Sequence, residues 1–133
     1  IIGTHPHVLE GVEVKDGADG KKVPVFWSLG NFVSGMVEIP CILGGMAKLT
    51  LEKTEDSCKV TDYSLTPLVT HRASDPSMSV YKLSEYTEEL AAQNAIRNAA
   101  GGEDFTLQHC YDLVGEILGE DFDMDEGLLK GTL

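Results

Sequence analysis

The fold is decided by the stretch AKLTLEKTEDSCKVTDYSL, residues 47–65. In its first half apolar and polar residues alternate strictly, which is typical of a β-strand with one face in the core and one in water. Polar residues at 54–57 then predict a turn, and a second strand follows. The second strand changes phase near Thr61 and Asp62, which predicts a β-bulge. The stretch therefore predicts an antiparallel hairpin with one solvent-exposed face.

Further strand-like segments precede the hairpin. Residues 1–4 are predicted to be the end of a buried strand, residues 12–15 a short strand, and residues 23–29 a nearly continuous apolar strand. After the hairpin, residues 66–80 contain two prolines, and we expect them to form a connection without regular structure.

Two helices are predicted near the C-terminus. The first is capped by Ser84 or Thr87 and runs to about Ala99. The second begins near Asp104 or Thr106, carries an apolar stripe at helical spacing, and ends at a glycine.

The fold class that these elements predict is α+β. It consists of a small, mostly antiparallel sheet with the hairpin at its centre and two C-terminal helices packed on one side. The acidic segment 120–126 is predicted to be a solvated or loosely held terminus.

Composition limits the functional classes. The 133 residues carry a formal net charge of −12, whereas binding to nucleic acid or to an anionic membrane surface needs a basic face. No apolar run approaches the length of a membrane span. The three cysteines are widely spaced and odd in number, so they are either free thiols packed as small apolar residues or include one disulfide. We expect no nucleic-acid partner.

The main candidate site is the segment His5-Pro6-His7. In an extended backbone residues i and i+2 face the same side, so both imidazoles can reach one site. Pro6 favours an extended conformation for His5. Neutral imidazole is a common ligand of catalytic divalent metals, so the pair indicates a metal site. The alternative is that one of the two histidines is an ordinary loop residue hydrogen-bonded to the backbone.

Two stretches resemble a known family. GTHPHVLEGVE (residues 3–13) and WSLGNF (residues 27–32) are similar, in this order, to motifs of the poly-gamma-glutamate capsule biosynthesis (CapA) family, whose catalytic domain is similar to calcineurin-like metallophosphoesterases. The following hairpin and the short stretches LTP (residues 65–67) and YKL (residues 81–83) are also similar in order and spacing. The resemblance covers about residues 1–90 and implies that the chain is the C-terminal part of such a protein.

The resemblance implies roles for four residues. His5 and His7 match the motif whose imidazoles bind a two-metal centre in the wider superfamily, and Ser28 and Asn31 match a segment that borders the same cleft. The implied cofactor is a divalent metal (Mn, Zn or Fe) in the full-length parent, which would support hydrolytic or transfer chemistry on phosphate or amide bonds. The implied substrate is an anionic polymer or a phosphate compound, and the implied location is the bacterial cell envelope or its extracellular face.

The remaining metal ligands of that superfamily are absent from the chain. They come from Asp, Asn, His and Glu motifs in the N-terminal half, and two histidines cannot hold a bimetal centre alone. We therefore expect residues 1–133 to be a fragment of a metallophosphoesterase-like α/β sandwich, inactive by itself, that binds metal weakly. The missing half would be its main partner, and the exposed sheet edge would favour self-association.

The resemblance also predicts a division of the chain. Residues 1–72 would be the C-terminal portion of the CapA-like domain, and residues 73–133 a helical C-terminal extension. The alternative function, from a different class, is a non-catalytic module for assembly or cell-surface attachment with vestigial histidines.

A second candidate site is the pair His71-Arg72. Because the family that the chain resembles acts on anionic material, the pair, together with Asp75, is a candidate anion-binding site. The alternative is an ordinary pair of surface loop residues.

Overall fold

The computed structural model of residues 1–133 contains seven β-strands and two α-helices. The strands are β1 (Val12–Asp16), β2 (Lys22–Phe26), β3 (Leu43–Lys53), β4 (Cys58–Arg72), β5 (Met78–Lys82), β6 (Phe122–Asp123) and β7 (Leu128–Thr132), and the helices are α1 (Glu88–Gln93) and α2 (Leu107–Leu118). The hairpin β1–β2 is a two-stranded sheet, and the other five strands form a second sheet. All named strands pair antiparallel, so the α+β prediction, with antiparallel sheets and two C-terminal helices, is confirmed.

Strand β4 is the centre of the larger sheet. β3 pairs with one of its edges along the whole length of β3, as the hairpin pattern predicts. The register shifts between Thr50 and Leu51, which leaves Thr61 of β4 without an opposite residue. The predicted β-bulge is therefore confirmed. The other edge of β4 is shared, because β7 pairs with residues 62–65 and β5 with residues 68–72.

The predicted connection at residues 66–80 is wrong. β4 continues through this region to Arg72, and β5 begins at Met78. Pro67 is tolerated because it lies in the interval between the segments that pair with β7 and β5, where this edge of β4 has no strand neighbour.

The predicted loose terminus at residues 120–126 is also wrong. This segment contains β6, whose Phe122 is buried in the core, and a tight turn leads from it into β7. β7 then pairs with β4, so the C-terminal residues complete the sheet. Burial of Phe122 and Leu129 holds the hairpin in place although most of its neighbours are acidic.

The first helix is shorter than predicted. Thr87 caps α1, as expected, by accepting a hydrogen bond from the backbone N–H of Leu90 at 3.2 Å. The helix ends at Gln93 because Asn94 has extended backbone angles, and a 3₁₀ turn (Ala95–Asn98) follows. The second helix agrees with the prediction: Thr106 caps α2 and Gly119, with φ of +67°, ends it.

One hydrophobic core joins the two sheets and the helices. Its 17 buried residues include Leu9 and Phe26 before the hairpin, Leu65 and Val69 in β4, and Val114 in α2. The predicted division after residue 72 falls in the turn between β4 and β5, which are paired neighbours in one sheet. Residues 73–133 contribute strands as well as helices. Neither α-helix has the length and apolar character that a membrane span requires.

Candidate functional site

The first three residues lie beside the end of β2. Ile2 forms a parallel bridge with Phe26, whose N–H donates to the Ile1 carbonyl at 2.9 Å and whose carbonyl accepts from Gly3 N–H at 2.7 Å. A Cβ at Gly3 would lie 2.0 Å from the carbonyl oxygen of Trp27, so only glycine permits this approach. These contacts fix the point at which residues 5–8, called the histidine loop below, leave the sheet.

The histidine loop is not extended. His5 has φ of +111° and His7 has φ of +63°, and the backbone from residue 5 to residue 8 is bent. The prediction of an extended His5-Pro6-His7 segment is therefore wrong. Both imidazoles are exposed. Positive φ costs a non-glycine residue about 1–3 kcal/mol, and such strain is concentrated at functional sites.

The side-chain amide of Asn31 joins the two conspicuous motifs. Its Nδ2 donates to the carbonyl oxygens of His7, at 3.1 Å, and Cys41, at 3.0 Å. Its Oδ1 then lies 2.8 Å from Nδ1 of His7. Because an amide oxygen can only accept, Nδ1 of His7 carries the proton and donates it. In the neutral imidazole the lone pair is therefore at Nε2.

Ser28 supports the turn that presents Asn31. It is buried, and its Oγ accepts a hydrogen bond from the N–H of Gly30 at 3.1 Å. Gly30 has φ of +63° and bridges to Gly44 at the start of β3. A role of Ser28 in lining a cleft stays a prediction. Asn31, which is half-buried, is the member of this segment that contacts a histidine.

Some contacts of the site have no signal in the sequence. The carbonyl of Cys41 fixes the Asn31 amide, and Sδ of Met36 lies 3.7 Å from the same Nδ2. Gly44 allows the backbone at Asn31 to approach closely, because a Cβ at residue 44 would lie 2.1 Å from the backbone carbonyl oxygen of Asn31. Backbone acceptors and close approaches depend on tertiary packing, so residue types alone do not reveal them.

Two features of the structure bear on metal binding by the histidines. His7 donates Nδ1–H to a side-chain oxygen, as a metal-binding imidazole commonly does with its other ring nitrogen. However, nowhere does the chain bring together three or more His, Cys, Asp or Glu side chains that could hold an ion. Ligation by His5 and His7 stays a prediction, and a complete coordination shell would need more ligands than these two imidazoles.

The second predicted site has a different character. His71 is buried at the end of β4, and its Nδ1 lies 2.9 Å from the hydroxyl of Tyr86. Burial lowers the pKa of His71, so its imidazole is neutral near pH 7. Arg72 is half-buried, and its backbone N–H donates to Asn94. Anion binding by this pair stays a prediction.

The cysteines are all free thiols. Cys41 and Cys110 are buried, as expected for small apolar residues, whereas Cys58 is exposed at the start of β4. Burial raises the pKa of Cys110 to about 12, so this thiol is uncharged at physiological pH.

Large apolar side chains are exposed in the two motif segments and directly beside them in the chain. Ile1 is 71% exposed, Phe32 67% and Trp27 48%. Ile2 and Val33 are exposed beside them in the chain. These five residues are called the apolar rim below. Where exposed apolar side chains form one contiguous patch, that patch is characteristic of a surface that another protein segment covers.

Comparison with known proteins matches the first part of the chain to a family. Residues 1–36 match the family described as "Bacterial capsule synthesis protein PGA_cap". These 36 of 133 residues include both the histidine loop and the segment from Ser28 to Asn31. No curated protein and no solved structure matches the chain.

Proposed function

We propose that this chain is part of a capsule synthesis protein in which His5 and His7 bind a divalent metal. The hydrogen bond between His7 Nδ1 and Asn31 Oδ1 carries the proposal. It joins the two motifs inside the matched residues 1–36, and it leaves the Nε2 lone pair of His7 free. The strained backbone at both histidines is consistent with selection for their position over stability.

The two histidines would supply imidazole ligands to manganese, zinc or iron. Such a metal supports hydrolytic or transfer chemistry by polarising a phosphoryl or carbonyl oxygen and by lowering the pKa of bound water. Asn31 holds His7 in the tautomer and ring orientation that ligation needs. The substrate class that we propose is an anionic polymer or a phosphate compound, handled at the bacterial cell envelope or its extracellular face.

The remaining ligands would come from a further segment of the same protein. This segment must supply carboxylates, because two imidazoles alone do not neutralise or bridge divalent ions. Ile1 and Ile2 of the apolar rim precede the histidine loop in the chain, the other three members flank residues 28–31, and the rim would be covered when the further segment packs. The open edge beside Ile1–Gly3 would allow the segment to pair as a strand.

Metal content tests this proposal in the protein that contains these residues together with its flanking coding region. We expect bound manganese, zinc or iron in the unaltered protein and loss of most of it in the His5→Ala, His7→Ala double variant. The variant with His109→Ala, a histidine on α2, is the matched control. Equal metal content in all three proteins, or a flanking region without Asp, Asn, His and Glu metal motifs, would rule the proposal out.

The second candidate is a non-catalytic module for assembly or cell-surface attachment. The apolar rim favours it, because a covered surface is needed for assembly whether or not a metal binds. A protein that keeps its oligomeric state and partners but contains no metal would support this candidate instead.

A further inference from the structure

A polar cavity lies on the face of the larger sheet that is turned away from the core, far along the chain from the histidine loop. Its volume is about 460 Å³, and it extends across β3, β4 and β7. The side chains that line it on the outer face are those of Lys48, Thr50, Asp62, Ser64, Lys130 and Thr132. No function described above uses this cavity.

Strand register builds the cavity from two rows of residues. In the first row Ser64 of β4 lies opposite Lys48 of β3 on one side and Lys130 of β7 on the other. The second row is the next one on the same face, with Asp62 at its centre between the hydroxyl-bearing residues Thr50 and Thr132. Neighbouring strands are about 4.8 Å apart, so the two lysine backbones are about 10 Å apart with a serine between them.

The charged groups of the cavity differ in the ion pairs and hydrogen bonds that they form. Lys48 takes part in no ion pair, whereas Lys130 pairs with Glu126. Both carboxylate oxygens of Asp62 accept hydrogen bonds from threonine hydroxyls, from Thr61 at 2.8 Å and from Thr132 at 3.3 Å. The cavity therefore contains the ammonium group of Lys48, which has no ion-pair partner, and that of Lys130, which is paired with Glu126.

We propose that this cavity binds a small oxyanion that carries a carboxylate or a phosphate group. The ammonium groups of Lys48 and Lys130 approach the anion from two sides, and the hydroxyl of Ser64 donates from the floor. Thr61 and Thr132 occupy the Asp62 oxygens, which reduces the repulsion between that carboxylate and the ligand. The lining has two lysines against the one carboxylate of Asp62, so it carries more positive than negative charge in a chain with net charge of −12, and Lys48 is the lysine without an ion-pair partner. This proposal is independent of the metal site.

Backbone amide NMR shifts test the proposal in a titration of the 133-residue chain at constant ionic strength. Inorganic phosphate and succinate are the two probes. We expect saturable shifts at Thr50, Ser64 and Gly131 with at least one of them. A response to phosphate alone assigns a phosphate ligand, a response to succinate alone assigns a carboxylate, and a response to both assigns the shared oxyanion chemistry.

Two lysine variants separate a site from general charge attraction. Lys48→Gln is expected to weaken binding at least fivefold, since it removes the unpaired ammonium group. Lys53→Gln, an exposed lysine at the end of the same strand outside the cavity, is the matched control and should change binding less than twofold. Lys130→Gln is a second cavity variant. The absence of saturable shifts with both probes, or equal binding by the Lys48 and Lys53 variants, would overturn the proposal.

Discussion

His7 and Asn31 are 24 positions apart in the chain, yet His7 Nδ1 and Asn31 Oδ1 are joined by a 2.8 Å hydrogen bond. The Asn31 amide cannot reverse without losing its donations to the carbonyls of His7 and Cys41. The tautomer of His7 is therefore set by backbone geometry around Asn31. This hydrogen bond brings the two sequence motifs into direct contact.

Two Asn31 variants should separate this role from a merely structural one. Asn31→Asp and Asn31→Leu both lose the Nδ2 donations, so each should lose about 1–3 kcal/mol of unfolding free energy. Only the aspartate retains an acceptor for Nδ1 of His7. We expect nitrogen-15 NMR of the neutral imidazole to show protonated Nδ1 in the parent and Asn31→Asp, and a shift toward protonated Nε2 in Asn31→Leu. An unchanged tautomer in Asn31→Leu would show that Asn31 does not set it.

The backbone at His5 is strained, so a glycine at this position should give a more stable protein than an alanine does. Glycine adopts φ of +111° without steric cost, whereas alanine does not. His5→Gly should therefore be about 1 kcal/mol more stable than His5→Ala, after the entropic cost of glycine is included. Urea unfolding of the two variants measures the difference. If the alanine variant is the more stable one, the backbone at His5 is not strained.

Gly44 should tolerate no side chain. A Cβ there would lie 2.1 Å from the Asn31 carbonyl oxygen, so Gly44→Ala must displace the segment that holds His7. We expect a loss of about 2–4 kcal/mol in unfolding free energy. Gly115→Ala is the control: nothing lies within 4 Å of its added Cβ, and alanine in a helix interior gains about 1 kcal/mol. Similar stability of both variants would contradict the packing at Gly44.

His71 should make stability depend on pH. Burial lowers its folded-state pKa, so below the unfolded value of about 6.5 the unfolded chain binds the proton first. Stability conferred by neutral His71 is therefore present above pH 6.5 and is lost as the pH falls toward the folded pKa. The stability difference between the parent and His71→Gln should shrink between pH 7.5 and 5 in thermal unfolding. Parallel curves over this range would exclude a lowered pKa.

The hairpin was predictable because its alternation is local. The sequence of residues 47–65 specifies which face of each strand is buried, and the phase change at Thr61 specifies the bulge. The length of β4 was not predictable, because Pro67 is compatible with a strand only where β7 ends and β5 begins. β7 was missed for a similar reason: its burial depends on a partner 64 or more positions earlier, such as Leu65 opposite Leu129.

The contact between the two motifs was expected from the family resemblance, but its geometry was not predictable. Residue types indicated His5 and His7 as metal ligands, which stays a prediction, and the resemblance implied that Asn31 borders the same cleft. The positive φ angles were not predictable, since Pro6 favours extended backbone at His5. These angles depend on the anchoring of Gly3 against Trp27 and of Asn31 against the carbonyls of His7 and Cys41.

Zinc titration of the 133-residue chain, followed by the imidazole resonances, tests metal binding by the histidine loop. We expect weak binding that shifts His5 and His7 together, with zinc at Nε2 of His7. His5→Ala and His7→Ala should each weaken binding at least about tenfold, or 1.4 kcal/mol, whereas His109→Ala should leave it unchanged. Zinc that shifts neither His5 nor His7, or equal affinity in all three variants, would contradict a metal-binding role for the histidine loop.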